Sequence, residues 1–140
     1  NKLNDLKINN QNIIRYSKKN KKNINIYCPV HIVCKKTRNE ALEFFDEYSQ
    51  KNQDTKSVDN FIKNLAWSKK NILANYLKQM KQRVAGSLGA YTIIGNKEDV
   101  LEQLNEIYKA KTSGVALTFF DYNKDLTFFG KKILKKIRNF

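Results

Sequence analysis

The chain has 140 residues, with 27 Lys and Arg against 13 Asp and Glu and a formal net charge of +14. That length supports one domain with a respectable core, while two cysteines, one histidine and no CxxC leave no disulfide framework and no zinc-ligand spacing. No apolar run is long enough to span a membrane and no signal-peptide pattern is present, which points to the cytoplasm.

Residues 1–22 read as a basic helical lead-in ending in Ser17-Lys18-Lys19-Asn20-Lys21-Lys22. Ile24, Ile26, Cys28, Val30, Ile32 and Cys34 then alternate with Asn25, Tyr27, Pro29, His31 and Val33, a period of two that predicts a strand. Pro29 removes a ladder hydrogen bond and so belongs at an end or a bulge. Cys28 and Cys34 share one face some ~20 Å apart at strand rise, too far for a disulfide. Thr37 and Glu40 form a Thr-x-x-Glu capping box, which starts a helix burying Ala41, Phe44, Phe45 and Tyr48. A polar break is expected over 49–57. Two further helices follow over 58–67, closing with Trp67 as a packing residue, and 71–84, with Ile72, Tyr76, Met80 and Val84 on one stripe.

The last third carries the most information. A glycine-punctuated loop, Ala85-Gly86-Ser87-Leu88-Gly89-Ala90-Tyr91, runs through Thr92-Ile93-Ile94-Gly95 into an amphipathic helix. Asn96 suits its N-cap and Glu98 and Asp99 its first turn, where carboxylates oppose the helix dipole. Val100, Leu101, Leu104, Ile107 and Tyr108 form the apolar face, and Lys109 and Lys111 sit at the negative end. Gly114 suits the turn into an apolar run, Val115-Ala116-Leu117-Thr118-Phe119-Phe120-Asp121-Tyr122, which reads as a strand covered on both faces. A helix around Phe128-Phe129-Gly130 closes the chain. This alternation is that of a parallel α/β chain, in which ligands sit beyond the carboxyl ends of the strands. Roughly two or three strands are expected, too few for a closed sheet.

Taken together, Asn23-Ile24-Asn25-Ile26-Tyr27, Cys34-Lys35-Lys36-Thr37-Arg38-Asn39-Glu40-Ala41, Val58-Asp59-Asn60 and the run from Gly86 to Gly95 resemble the C-terminal part of bacterial luciferase-like flavin-dependent monooxygenases. The run from Gly114 to Tyr122 and Leu126-Thr127-Phe128-Phe129-Gly130 resemble that family's last strand and final helix. Where relatives often carry Gly-Thr-Pro-Glu, this chain has Gly95-Asn96-Lys97-Glu98, which keeps the cap and the acidic first turn. The resemblance implies a (β/α)8 TIM-type barrel, which takes about 250 residues, so that residues 1–140 would be one partial domain, the C-terminal section of an incomplete barrel. It implies an enzyme that uses reduced FMN, or in some branches a deazaflavin, with O2 and a small-molecule substrate, a flavin reductase or other supply of reduced flavin, and a homo-oligomer when full length. It also implies that the phosphate-holding and catalytic residues lie upstream, so the fragment alone is expected to be inactive.

Within this section the expected pocket wall is Gly86, Ser87, Gly89 and Tyr91 from the loop and Phe119, Phe120, Asp121 and Tyr122 from the strand end. Each has a structural reading beside it: glycines before a strand supply positive φ, aromatic residues fill cores, and Asp121 caps a loop. His31, within a strand pattern, is expected to be a hydrogen-bonded structural residue and not a base. The charge offers a rival function, a nucleic-acid binder built on residues 17–22 and on Lys131, Lys132, Lys135 and Lys136. Against specific nucleic-acid recognition, the cations are nearly all lysine, with only Arg15, Arg38, Arg83 and Arg138. A third reading is a non-catalytic, barrel-derived interaction subunit.

Overall fold

The computed structural model describes residues 2–65 and 74–137. Helix α1 (Lys2–Lys19) precedes strand β1 (Tyr27–Cys34), and α2 (Arg38–Asp46) continues into a wider π-helical turn (Glu47–Lys51). Helices α3 (Thr55–Leu65) and α4 (Ala74–Ser87), strand β2 (Tyr91–Gly95), helix α5 (Lys97–Lys109) and strand β3 (Gly114–Phe119) follow. The chain closes in a helical stretch made of a π-helical turn (Tyr122–Leu126), α6 (Thr127–Phe129), a second π-helical turn (Gly130–Leu134) and α7 (Lys135–Ile137).

The strands form a parallel sheet in the order β2-β1-β3, with Val30 opposite both Tyr91 and Leu117. A barrel places consecutive strands side by side; among the described residues both later strands flank β1, so a barrel order is not shown. The physical reason lies in the side chains of β1. It is the most buried strand, covered from Val30 to Val33, and only a central strand has both edges and both faces covered. Pro29 sits inside this strand and not at its end, but the β2 register begins at Val30, so at Pro29 only β3 lies alongside. The strand excludes Ile24 and Ile26, although Ile26 accepts a hydrogen bond from the Ser113 N–H at 2.7 Å.

The period of two divides the core. Cys28, Val30, Ile32, Ile93 and Phe119 meet Val100, Leu104 and Ile107 of α5 and Phe129 and Ile133 of the C-terminal helical stretch. On the other face Val33 meets Ala41 and Phe45 of α2, with Phe44, Tyr48 and Ile94 packed alongside. Val58 and Ile62 of α3 pack on Val84 of α4 in a satellite cluster. Both cysteines are free, and the Cys34 thiol is pushed up to about 11, chiefly by burial. Helix α1 docks through Leu6 and through the Asn10 side-chain amide, which donates to the Ala110 carbonyl at 2.9 Å.

Several expectations are corrected. The polar break over 49–57 shrinks to residues 52–54, because the π-helical turn buries Ser49 and Asp54 caps α3 by accepting from the Ser57 N–H at 3.0 Å. Gly86 and Ser87 belong to α4, not to a loop. Tyr108 is exposed, and β3 is not covered on both faces: it is an edge strand of the described sheet, with Val115 and Ala116 exposed. The turn before β3 takes its positive φ at Lys111, while Gly114 lies under the exposed Tyr27 ring, 2.7 Å from where a Cβ would stand. Trp67, Ile72 and the junction of the two expected helices lie outside the described residues, as does Arg138.

Candidate functional site

Strands β1 and β3 are parallel neighbours, yet the chain leaves them in opposite directions. Beyond β1 it turns into α2, on the face of Val33; beyond β3 it turns into the helical stretch carrying Phe129, on the face of Ile32. Such a divergence opens a crevice outside the carboxyl ends of the strands, where open α/β sheets bind ligands. Aromatic side chains gather on its α2 side. Phe120, one residue past β3, has its ring centroid 5.1 Å from Phe44 and 4.7 Å from Tyr48, and Phe44 lies 5.4 Å from Tyr48. The Lys35 ammonium, in the loop after β1, stands 3.9 Å over the Phe44 ring.

His31 lies beneath this cluster, only 6% exposed. Its Nδ1 is 2.9 Å from the Thr118 hydroxyl on the neighbouring strand and its Nε2 is 2.9 Å from the Tyr48 hydroxyl. Register explains the first contact, since His31 and Thr118 are paired positions. Burial lowers the His31 pKa, and the charge of Asp125 opposes that only in part. Burial likewise raises the Tyr48 phenol, with Asp125 adding to the effect. At neutral pH the imidazole is therefore uncharged, donating through one nitrogen and accepting through the other. Both nitrogens are engaged, so His31 orients Tyr48 and Thr118. This agrees with the hydrogen-bonded role expected for it.

A cavity of 590 Å³ opens beside this triad, between Pro29 and His31 of the sheet, the segment from Ala85 to Ala90, and Thr118, Phe119, Phe120 and Tyr122. The expected wall residues divide here. Phe120 (54% exposed) and Tyr122 (53% exposed) are open to the cavity, and Tyr122 sets its ring edge on Phe119 at 5.9 Å. Phe119 itself is a core residue packed on Phe129. Gly89 adopts φ +84° and makes the turn into β2, while Gly86 is the contact point between α4 and the π-helical turn. The Ser87 hydroxyl lies 3.0 Å from that of Thr92 and donates to the Arg83 carbonyl at 2.8 Å, tying the cavity floor together. Two residues fall outside it. Tyr91 packs against the opposite face of the sheet, and Asp121 caps the following turn by accepting from the Lys124 N–H at 3.1 Å.

Sequence reasoning assigned Tyr48 and Phe44 to the core of α2 and gave Thr118 no role. The four-residue spacing from Phe44 to Tyr48, with a phenol at its end, was the available signal, because a buried tyrosine hydroxyl requires a partner. Among the described residues no group of three or more His, Cys, Asp or Glu is placed to hold a metal ion, and no helix is long and apolar enough to cross a membrane. No protein-family model and no curated protein matches this chain.

Proposed function

We propose that this chain is the C-terminal section of a luciferase-like flavin-dependent monooxygenase, and that the cavity beside His31 is part of its oxidation pocket. The observation that carries the reading is the position of Phe120 and Tyr122. The family-like strand end sets both aromatic rings in the crevice beyond the carboxyl ends of parallel strands. The strand order β2-β1-β3 is not that of a barrel, so the reading rests on the residues of the strand end and not on the sheet order.

The lining suits a planar apolar group, with aromatic faces and the hydroxyls of Tyr48, Ser87 and Thr118, and it contains no lysine or arginine for a phosphate. Phe120, Tyr122 and the segment from Gly86 to Ala90 would therefore border the ring system or the substrate, while the phosphate would be held elsewhere. When bound, reduced FMN would supply the electrons that activate O2, whereas a reduced deazaflavin would supply a hydride. The residues of this chain exclude water and fix the wall: Phe120 and Tyr122 close the mouth, and His31 holds Tyr48 against Phe120. The partners are then a small organic substrate, O2 and a source of reduced flavin, within a homo-oligomer.

Tyr122→Ala in the protein carrying this chain, supplied with reduced FMN and O2, tests the reading. Opening the wall admits water, so peroxide released per O2 consumed is expected to rise several-fold. The melting temperature should stay close to wild type, because Tyr122 is half exposed. Unchanged coupling with a stability loss of ~3 kcal/mol, the scale of a core aromatic truncation, would make Tyr122 purely structural.

A further inference from the structure

The positive charge of the chain is interrupted twice, over residues 98–106 and over residues 40–59. Six of the 13 acidic residues fall between positions 40 and 59 (Glu40, Glu43, Asp46, Glu47, Asp54 and Asp59), opposed there only by Lys51 and Lys56. This stretch borders a second cavity, of 740 Å³, on the far side of Tyr48 and Phe120 from the one described above. Its walls are the rings of Phe44, Tyr48, Phe61 and Phe120, and its rim carries the Glu47 and Asp54 carboxylates. We propose that this outer cavity is a binding site for a cationic amine with an aromatic body, the ring stacking among the four aromatic side chains and the ammonium facing Glu47 and Asp54.

One ring of its wall already holds a cation. The Phe44 ring accepts the Lys35 ammonium at 3.9 Å, so the cluster binds a cation through a ring face. Both rim carboxylates are ionised at neutral pH. The Lys51 ammonium, followed by the Asn52 amide, holds Glu47 below the usual carboxylate range, and the Ser57 hydroxyl and N–H do the same for Asp54. Lys51 meets Glu47 at 3.0 Å as an exposed i,i+4 surface pair, a weak interaction that an incoming ammonium can share. The cavity also supplies what a small-molecule site needs, an apolar body with a few placed polar groups. The inference does not depend on the flavin reading: the two cavities share the rings of Tyr48 and Phe120, but Phe61, Glu47 and Asp54 line only the outer of the two.

The net charge makes the test sharp. Tryptamine, tryptophol and indole-3-acetate share one ring and differ in charge, and non-specific attraction to a chain of +14 favours the anion. Titration of the intact chain, followed by amide chemical shifts, is expected to give the reverse order, with tryptamine about tenfold tighter than tryptophol, the order of one charge-assisted contact to a carboxylate. Phe61→Ala, which touches only this cavity, and Asp54→Asn, which keeps an N-cap side chain, should each abolish that preference while leaving the circular dichroism unchanged. Indole-3-acetate binding as tightly as tryptamine, or full tryptamine affinity in both variants, would overturn the assignment. So would concentration-dependent self-association that tryptamine displaces, because a lysine of a second copy would then be the occupant.

Discussion

At the scale of single residues, the two informative glycines differ in what they avoid. A Cβ on Gly86 would lie 2.5 Å from the Phe45 ring and 2.9 Å from the Ser49 Cβ, both in buried surroundings that cannot retreat. Gly86→Ala is therefore expected to cost about 1–3 kcal/mol, the range for overpacking. Gly114→Ala should cost markedly less, because the Tyr27 ring it would touch is 66% exposed and free to swing away; denaturant midpoints of the two variants measure the contrast. His31 gives a pH signature. Its folded pKa is lowered, so the unfolded chain binds the proton more readily. The resulting contribution to stability is fully present above the unfolded value of about 6.5 and is lost as pH falls below it. Between pH 7.5 and 5.5 the wild-type midpoint should drop, and His31→Gln should remove that part of the drop. His31 itself was readable from its strand position as a hydrogen-bonded residue, but its partners were not. Thr118 lies 87 residues away, and only the register of two parallel strands brings it alongside.

At the scale of elements, the legible features are those that local chemistry decides. The Thr37 hydroxyl accepts from the Glu40 N–H at 3.2 Å and the Glu40 carboxylate accepts from the Thr37 N–H at 3.3 Å, the reciprocal pair the spacing predicts. Asn96 and Asp99 make the same box at the start of α5, with distances of 2.9 and 3.0 Å. Thr37→Ala and Asn96→Ala are each expected to lose about 1 kcal/mol, with a measurable coupling between them, since Arg38 at the start of α2 meets Asp99 of the α5 box at 3.5 Å. Thermal melts of both single variants and the double variant check this. Strand order was not legible, because the alternation in β1 specifies two faces and says nothing of which later strand takes which edge. That choice falls to the helices: α2 must cover Val33 and α5 must cover Ile93, which sends the crossovers to opposite sides. The candidate site inherits the same limit. Phe120 and Tyr122 were placed correctly at a strand end, whereas Tyr91, counted two residues from Gly89, points to the other face because a strand alternates.

At the scale of the whole molecule, charge and exposed surface set the behaviour expected in solution. Lysines dominate the positive charge, so binding to heparin, RNA or duplex DNA should be weak, indifferent to sequence and lost with salt as counterion release is suppressed. A titration at two salt concentrations measures it, and affinity tighter than ~10⁻⁸ M at physiological salt would mark a specific binder. β3 is an open edge of the described sheet with Val115 exposed, and unpaired strand edges template association. The isolated chain is therefore expected to self-associate as its concentration rises in sedimentation velocity. It should also hold FMN poorly, since the cavity offers an aromatic wall and no cation for the phosphate. The central claim, that Phe120 and Tyr122 wall an oxidation pocket, meets its most direct test in isotopically labelled O2. The protein carrying this chain would be given reduced FMN and a panel of small organic substrates, and the products examined by mass spectrometry. The account predicts a product bearing one labelled oxygen atom, dependent on reduced FMN and diminished by Tyr122→Ala. Recovery of all the label as peroxide and water, at the rate of free reduced FMN, would contradict it.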